Sequence, residues 1–260
     1  MDRVEFVLEN DDAFSELRFL ITGFYGLGFC GYLTTRFLYD AARGSGKAER
    51  LAIVWSNAMP PVVEVDETGK FRYPMEVYKI DGKSAVLLFR YQPAMSVQVG
   101  IADSLTKLAS SKKLTLILCG GIDVNALPER DKEKADVVYV CNRLFESEYI
   151  EGGSWDVPRS PPEVVVSGGI ALILMYAERR GVPAVSLLTP TYAKTGYLDY
   201  QASLKLARRI VGLFDLDVEL SVVEEKVQEI ESQRILRIME ERRARKKFEE
   251  TEELEEFGIT

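Results

Sequence analysis

The stretch from Val164 to Pro190, VVVSGGIALILMYAERRGVPAVSLLTP, restricts the chain to few folds. Its unbroken apolar run, Ile170 to Ala177, is far below the roughly 18 residues a bilayer-crossing helix needs, so the segment has to be buried in protein. Val164 to Val166 suit a strand and Ser167-Gly168-Gly169 a tight turn. Ile170 to Arg180 then reads as a helix apolar on nearly every side, packed against more than one neighbour. Gly181 supplies a left-handed C-cap with Pro183 just beyond it, and Val182 to Leu188 resume as a β-branched strand. The whole is a strand-helix-strand unit of a parallel sheet covered by helices.

The rest of the chain repeats this grammar. Glu16 to Ile21 fit a strand, followed by a glycine-punctuated turn and a helix through GYLTTRFLYDAA. Leu51 to Trp55 make the next strand, whereas Val62 to Asp66, the turn ETGK, and Phe71 to Lys79 read as a hairpin with Pro74 at a sheet edge. Ser84 to Phe89 is a buried strand, Ser96 to Ser110 a helix, Leu114 to Cys119 a strand closed by Gly120-Gly121, and Asp136 to Cys141 another strand. Asn142 to Pro162 is a long irregular loop. From Tyr200 to Phe214 apolar residues recur at helical spacing on one face only. The expected fold is therefore α/β: a three-layer α/β/α body with a mostly parallel sheet over residues 1–220, followed by a protruding C-terminal helical arm, 221–260.

Composition removes several functions. There is no histidine, hence no histidine base, no triad hydrolysis and no histidine-ligated metal. The net charge of -8 gives no electrostatic reason to expect nucleic acid. Cys30, Cys119 and Cys141 are odd in number and set in apolar surroundings, which fits buried reduced thiols in a cytoplasmic protein. The acidic N-terminus lacks the basic start and apolar core of a secretory signal. No membrane association and no cofactor are expected.

Three glycine motifs are candidates for ligand chemistry. Gly26, Gly28 and Gly31 fit a dinucleotide fingerprint after a strand and before a helix, but no acid stands at the end of the second strand, where Trp55, Ser56 and Asn57 are found. Close packing of the helix on the sheet is the alternative. Gly44-Ser45-Gly46-Lys47 has Ala41 and Ala48 where a phosphate loop needs glycine and a hydroxyl, so it reads as an ordinary connection. Gly120, Gly121, Gly168 and Gly169 sit beyond strands, at the rim where open α/β sheets bind ligands, with Asp103, Asp123 and Asn125 as polar candidates. No metal site and no catalytic residue can be named.

The last 37 residues differ in kind. Residues 224–260 contain twelve acidic and eight basic side chains, half of the net charge of the whole chain. Val223, Val227, Ile230, Ile235, Ile238 and Met239 form a narrow apolar stripe, after which thirteen of the eighteen residues from Glu240 to Phe257 are charged. A helix so polar is held by pairs contributing about 0.2 to 0.5 kcal/mol each. It is either a solvated tail or an interaction arm, whose contacts would be the basic block Arg242, Arg243, Arg245, Lys246 and Lys247 and the apolar Phe257 and Ile259.

Five segments in order, GFYGLGFCGYLTTRFL, SNAMPPVVEVDETGKFRYPMEVYKI, LILCGGID, SGGIALILMYAERRGVPAVSLLTPT and YLDYQASLKLARRIVGLFDLDVEL, resemble the proteasome assembly chaperone family, in particular archaeal homologues of the second eukaryotic chaperone. The resemblance spans about residues 16 to 231. It implies a nucleoside-phosphorylase-like α/β/α fold, no catalysis, homo-oligomeric rings or tetramers, and binding to proteasome subunits or another assembly factor. Some archaeal members end in a hydrophobic residue, a tyrosine and any residue. Here Gly258, Ile259 and Thr260 fill neither position, so the sequence is more similar to the A-type archaeal homologues, ring formers whose protruding tails engage another partner protein. The alternative from the residues alone is a small-molecule or nucleotide-binding enzyme using the glycine-rich rim.

Overall fold

The computed structural model describes residues 3–128, 137–153, 155–162, 164–193 and 196–256, with side chains described to residue 240 apart from 238. Two units are distinguished, Met1–Leu220 and Ser221–Thr260. The first is built on an eight-stranded sheet, ordered β1-β3-β6-β7-β2-β8-β10-β9. In chain order its strands are β1 Val4–Leu8, β2 Phe19–Gly23, β3 Glu49–Ser56, β6 Met75–Lys79, β7 Ser84–Phe89, β8 Thr115–Asp123, β9 Val138–Cys141 and β10 Ala184–Thr191; β4 Glu64–Val65 and β5 Phe71–Arg72 pair separately.

The centre of the sheet, β7-β2-β8-β10, is parallel throughout. Antiparallel pairings flank it, β9 on one side and β6, β3 and β1 on the other. Two successive reversals return β3 to the central direction, so five of the eight strands point the same way. Helices cover both faces. Helix α2, Cys30–Gly44, packs with α5, Tyr200–Leu213, on one face, and α3, Met95–Lys112, packs with α4, Gly168–Arg180, on the other. A short α1, Asp11–Ser15, precedes β2. The body is the expected three-layer α/β/α arrangement.

Burial explains the layers. Strands β2 and β7 are buried at every position, the pattern of strands covered on both faces. Beneath α3 and α4 the core gathers Leu20, Leu87, Val97, Ile101, Leu105, Leu116 and Ile173. Gly181 caps α4 in the left-handed conformation, its N–H closing back on the last turn.

Several sequence expectations are corrected. Val164 to Val166 form no strand, and the places beside β10 are held by β8 and β9. Phe71 to Lys79 is not one strand: Pro74 offers no N–H and separates β5 from β6, and β6 lies inside the sheet, not at its edge. Strand β8 runs through Gly120-Gly121 to Asp123 instead of stopping there. The loop after Asn142 begins with a helical turn, Arg143–Phe145, continued by a π turn, Glu146–Ile150. Asn142 makes this possible, since its side chain accepts from Phe145 and Ala184 and donates to the Val182 carbonyl. Helix α4 buries Ile170, Ile173 and Ala177 but leaves Met175 59% exposed, so it is not enclosed on every side.

The second unit contains one helix, α6, Ser221–Glu256. Ile235, Leu236 and Met239 are exposed on it. Among the described residues no helix is long and apolar enough to cross a membrane.

Candidate functional site

The turn after β2 is made by backbones in contact. A Cβ on Gly31 would stand 2.3 Å from the Cys119 carbonyl oxygen and 2.8 Å from that of Phe24. Gly28 has a φ of +60, and a Cβ there would meet Thr191 Oγ1 at 2.4 Å and Asp199 at 3.1 Å. Asp199 ties this corner together: its N–H donates to the Gly28 carbonyl, its carboxylate accepts from Thr191 Oγ1 at 2.7 Å, and it caps α5 through Ala202 N. The space a pyrophosphate would need beside Gly28 and Gly31 is filled by protein. These two glycines serve packing.

The other rim glycines do share a cavity. Gly26, Gly120, Gly121, Gly168 and Gly169 line a cleft of about 580 Å³ together with Phe24, Leu27, Gln98, Asp123, Val166 and Ile170. It lies at the carboxyl ends of β2 and β8, where ligands bind in open α/β sheets. Asp123 is in its wall and accepts from the backbone and side-chain nitrogens of Asn125. Asp103 is elsewhere, paired with Arg180 and with Lys107 at 2.6 Å on α3, and these contacts hold its carboxyl below the ordinary value. Gly44-Ser45-Gly46-Lys47 is the α2-to-β3 connection, with Lys47 paired to Asp217 at 2.7 Å.

Burial works against thiolate formation at the three cysteines. Burial pushes Cys30 up to about 12 and Cys141 up to about 11, and raises the fully buried Cys119 as well. Among the described residues no cluster of acids and cysteines is placed to hold a metal ion.

A second surface surrounds the β4-β5 hairpin. Trp55, Val62, Val63, Val65 and Phe71 are exposed there, and a shallow groove of about 400 Å³ runs between Trp55, Met59, Pro61, Val63 and Tyr73. Single exposed apolar residues are ordinary, but a contiguous group of this kind is a candidate interaction surface. The hairpin is anchored from below by Glu64, which accepts from Arg36 at 3.2 Å and from Arg90. Arg90 also holds the fully buried Glu76 at 2.6 Å, shared with Arg50 at 2.9 Å and the Tyr78 hydroxyl at 2.8 Å.

Of the expected partner contacts, Arg242, Arg243, Arg245, Lys246 and Lys247 fall on the α6 backbone with side chains outside the described residues, and Phe257 and Ile259 lie outside the described residues altogether. Sequence reading missed Gln98, Asp199 and the Glu76-Arg90 pair. Asp199 carried a signal, an acid directly before a periodic helix. Gln98 and Glu76 carried none, because a polar residue inside an amphipathic pattern reads as solvent-facing until its neighbours are known.

Comparison with known proteins agrees with this architecture. The Pyrococcus furiosus protein PbaA, described as an archaeal homolog of proteasome-assembly chaperone, is similar with a TM-score of 0.76 and 19% identity, over 98% of this chain and 99% of that one. The Pyrococcus furiosus protein PbaB, described as an archaeal proteasome activator, is similar with a TM-score of 0.68 and 18% identity, over 92% of this chain and 100% of that one. A Thermoplasma acidophilum protein of unknown function has a TM-score of 0.64 at 18% identity, over 89% of this chain and 90% of that one. No curated protein matches the sequence. The model of the PAC2 family matches residues 20–235, across the central sheet, both helical layers and the start of α6, and the chain belongs to that family.

Proposed function

We propose that this protein is a non-enzymatic, homo-oligomeric assembly factor of the proteasome-assembly-chaperone kind, whose body self-associates and whose C-terminal helix recruits proteasome subunits or another assembly factor. The observation that carries this reading is likeness over nearly the full length of both chains to PbaA, described as an archaeal homolog of proteasome-assembly chaperone. Charge pattern supports the second half. The basic block Arg242 to Lys247 is followed by an acidic one, Glu249 to Glu256, suited to a partner of alternating charge and to contacts that salt screens over roughly 10 Å at 0.1 M.

The test is affinity capture of the full-length protein from a lysate of its own source, with bound proteins identified, beside a variant lacking Glu240 to Thr260. The expected outcome is proteasome subunits or an assembly factor with the full chain, weaker recovery at higher salt, and none with the deletion. Undiminished capture by the deleted form would refute recruitment by the helix. Absence of any such protein from the full-length sample would remove the chaperone reading itself.

A further inference from the structure

The rim cleft has no part in the function proposed above, yet it has the construction of a binding site. Its volume of about 580 Å³ falls within the range usual for small-molecule sites, roughly 300 to 1,000 Å³. Helix α2 leaves β2 on one face of the sheet and α3 reaches β8 on the other, so the crevice opens at a topological switch point.

Two sets of polar groups in it lack partners. The first is the opening turn of α4. Ser167 makes no side-chain cap, and Gly168, Gly169 and Ile170 form part of the cleft wall, where uncapped N–H groups favour an anion. The second is Gln98, only 5% exposed. Its Nε2 donates to the Pro93 carbonyl at 2.8 Å, while its Oε1 accepts no hydrogen bond from the described residues. That oxygen lies 3.9 Å from where a Cβ on Gly168 would stand, beside the helix start. The oxygen is open to the cleft, free to accept from a ligand N–H in place of water.

The remaining wall sets the ligand's body and charge. Phe24, Leu27, Met95 and Val166 make much of it apolar; among the described residues no lysine or arginine lines it, and its charged side chain is Asp123, which accepts from Asn125. With Asp123 in the wall and no cation among the described lining residues, a doubly charged phosphate is disfavoured more than a single carboxylate held at the helix N-terminus. We propose that the cleft binds a small apolar monocarboxylate carrying an N–H donor, the class of N-acylated apolar amino acids and short apolar peptides. The carboxylate meets the first turn of α4, the N–H meets Gln98 Oε1, and the apolar group lies among Phe24, Met95 and Ile170. This goes beyond the chaperone reading, and its failure leaves that reading untouched.

The test is titration calorimetry on the full-length protein with N-acetylleucine, its C-terminal amide and adenosine monophosphate as probes. The proposal expects saturable binding of the acid, about tenfold weaker binding of the amide, and none of the nucleotide. Gln98→Leu should weaken the acid about fivefold or more, and Ala126→Trp, at an exposed position in the wall, should abolish binding by filling the cleft. Ala126→Trp keeps the test valid should Gln98→Leu fail to fold. Absence of saturable binding to the wild type, equal affinity for acid and amide, tighter binding of the nucleotide, or retained affinity in Ala126→Trp would each overturn the proposal.

Discussion

Gly31 stands where the backbone of a helix touches the backbone of a sheet. Its missing β-carbon is replaced by the carbonyls of Cys119 and Phe24, neither of which can move without displacing β8 or the turn after β2. Gly31→Ala should therefore cost about 1–3 kcal/mol through overpacking, lowering the melting temperature by roughly 5 °C for a body of this size. An unchanged melting curve would show that α2 lifts off the sheet freely. Glu64 supports a prediction of a different kind. Partial burial alone would raise its carboxyl, but the hydrogen bond from Arg90 and the charges of Arg36 and Arg90 outweigh burial and hold it below the ordinary 4.5. A carboxyl depressed in the folded state stabilises above its unfolded value, and that contribution is lost as pH falls through the folded one. The melting-temperature advantage of wild type over Glu64→Gln should be full at about pH 7 and shrink below about pH 4.5. A gap that stays constant to about pH 3 would separate Glu64 from acid stability.

At the scale of elements, the hairpin is the part least explained by the body's own stability. Strands β4 and β5 pair only with each other over two residues, far too little to hold a hairpin alone. It is anchored by the grip of Arg36 and Arg90 on Glu64, by Arg43 on Glu67, and by Arg72 donating to the Tyr39 and Tyr78 hydroxyls. Val63 at 59% and Phe71 at 56% exposure are not needed to keep it in place. We expect the double variant Val63→Asp, Phe71→Asp to keep the wild-type melting temperature while light scattering shows a smaller assembly, since like charges brought together across a self-contact repel. Unchanged mass would move the self-contact elsewhere, with the exposed Met175 of α4 the next place to look. Elements also show where sequence reading is strong. Ser84 to Phe89 was legible to the residue, because a short apolar run bounded by turn residues fits a buried strand. Val164 to Val166, β-branched throughout, form no strand.

For the whole molecule, periodicity and punctuation were enough to read an α/β/α body, because an apolar stripe must be buried and glycine and proline must sit where the backbone turns. The order of the segments was enough to point to the family that the match over residues 20–235 shows. Pairing was beyond the sequence. The place beside β10 that Val164 to Val166 suit by composition is held instead by β9 on one side and β8 on the other, which no local pattern announces. The rim was legible only as a set of glycines. The sequence cannot separate Gly28, Gly31, Gly120, Gly121 and Gly169, where a Cβ would run into neighbouring atoms, from Gly26 and Gly168, where a cleft leaves room. A glycine states that room is needed for something other than its own side chain. What occupies that room is set by elements remote in sequence, so tertiary packing alone decides between contact and cavity.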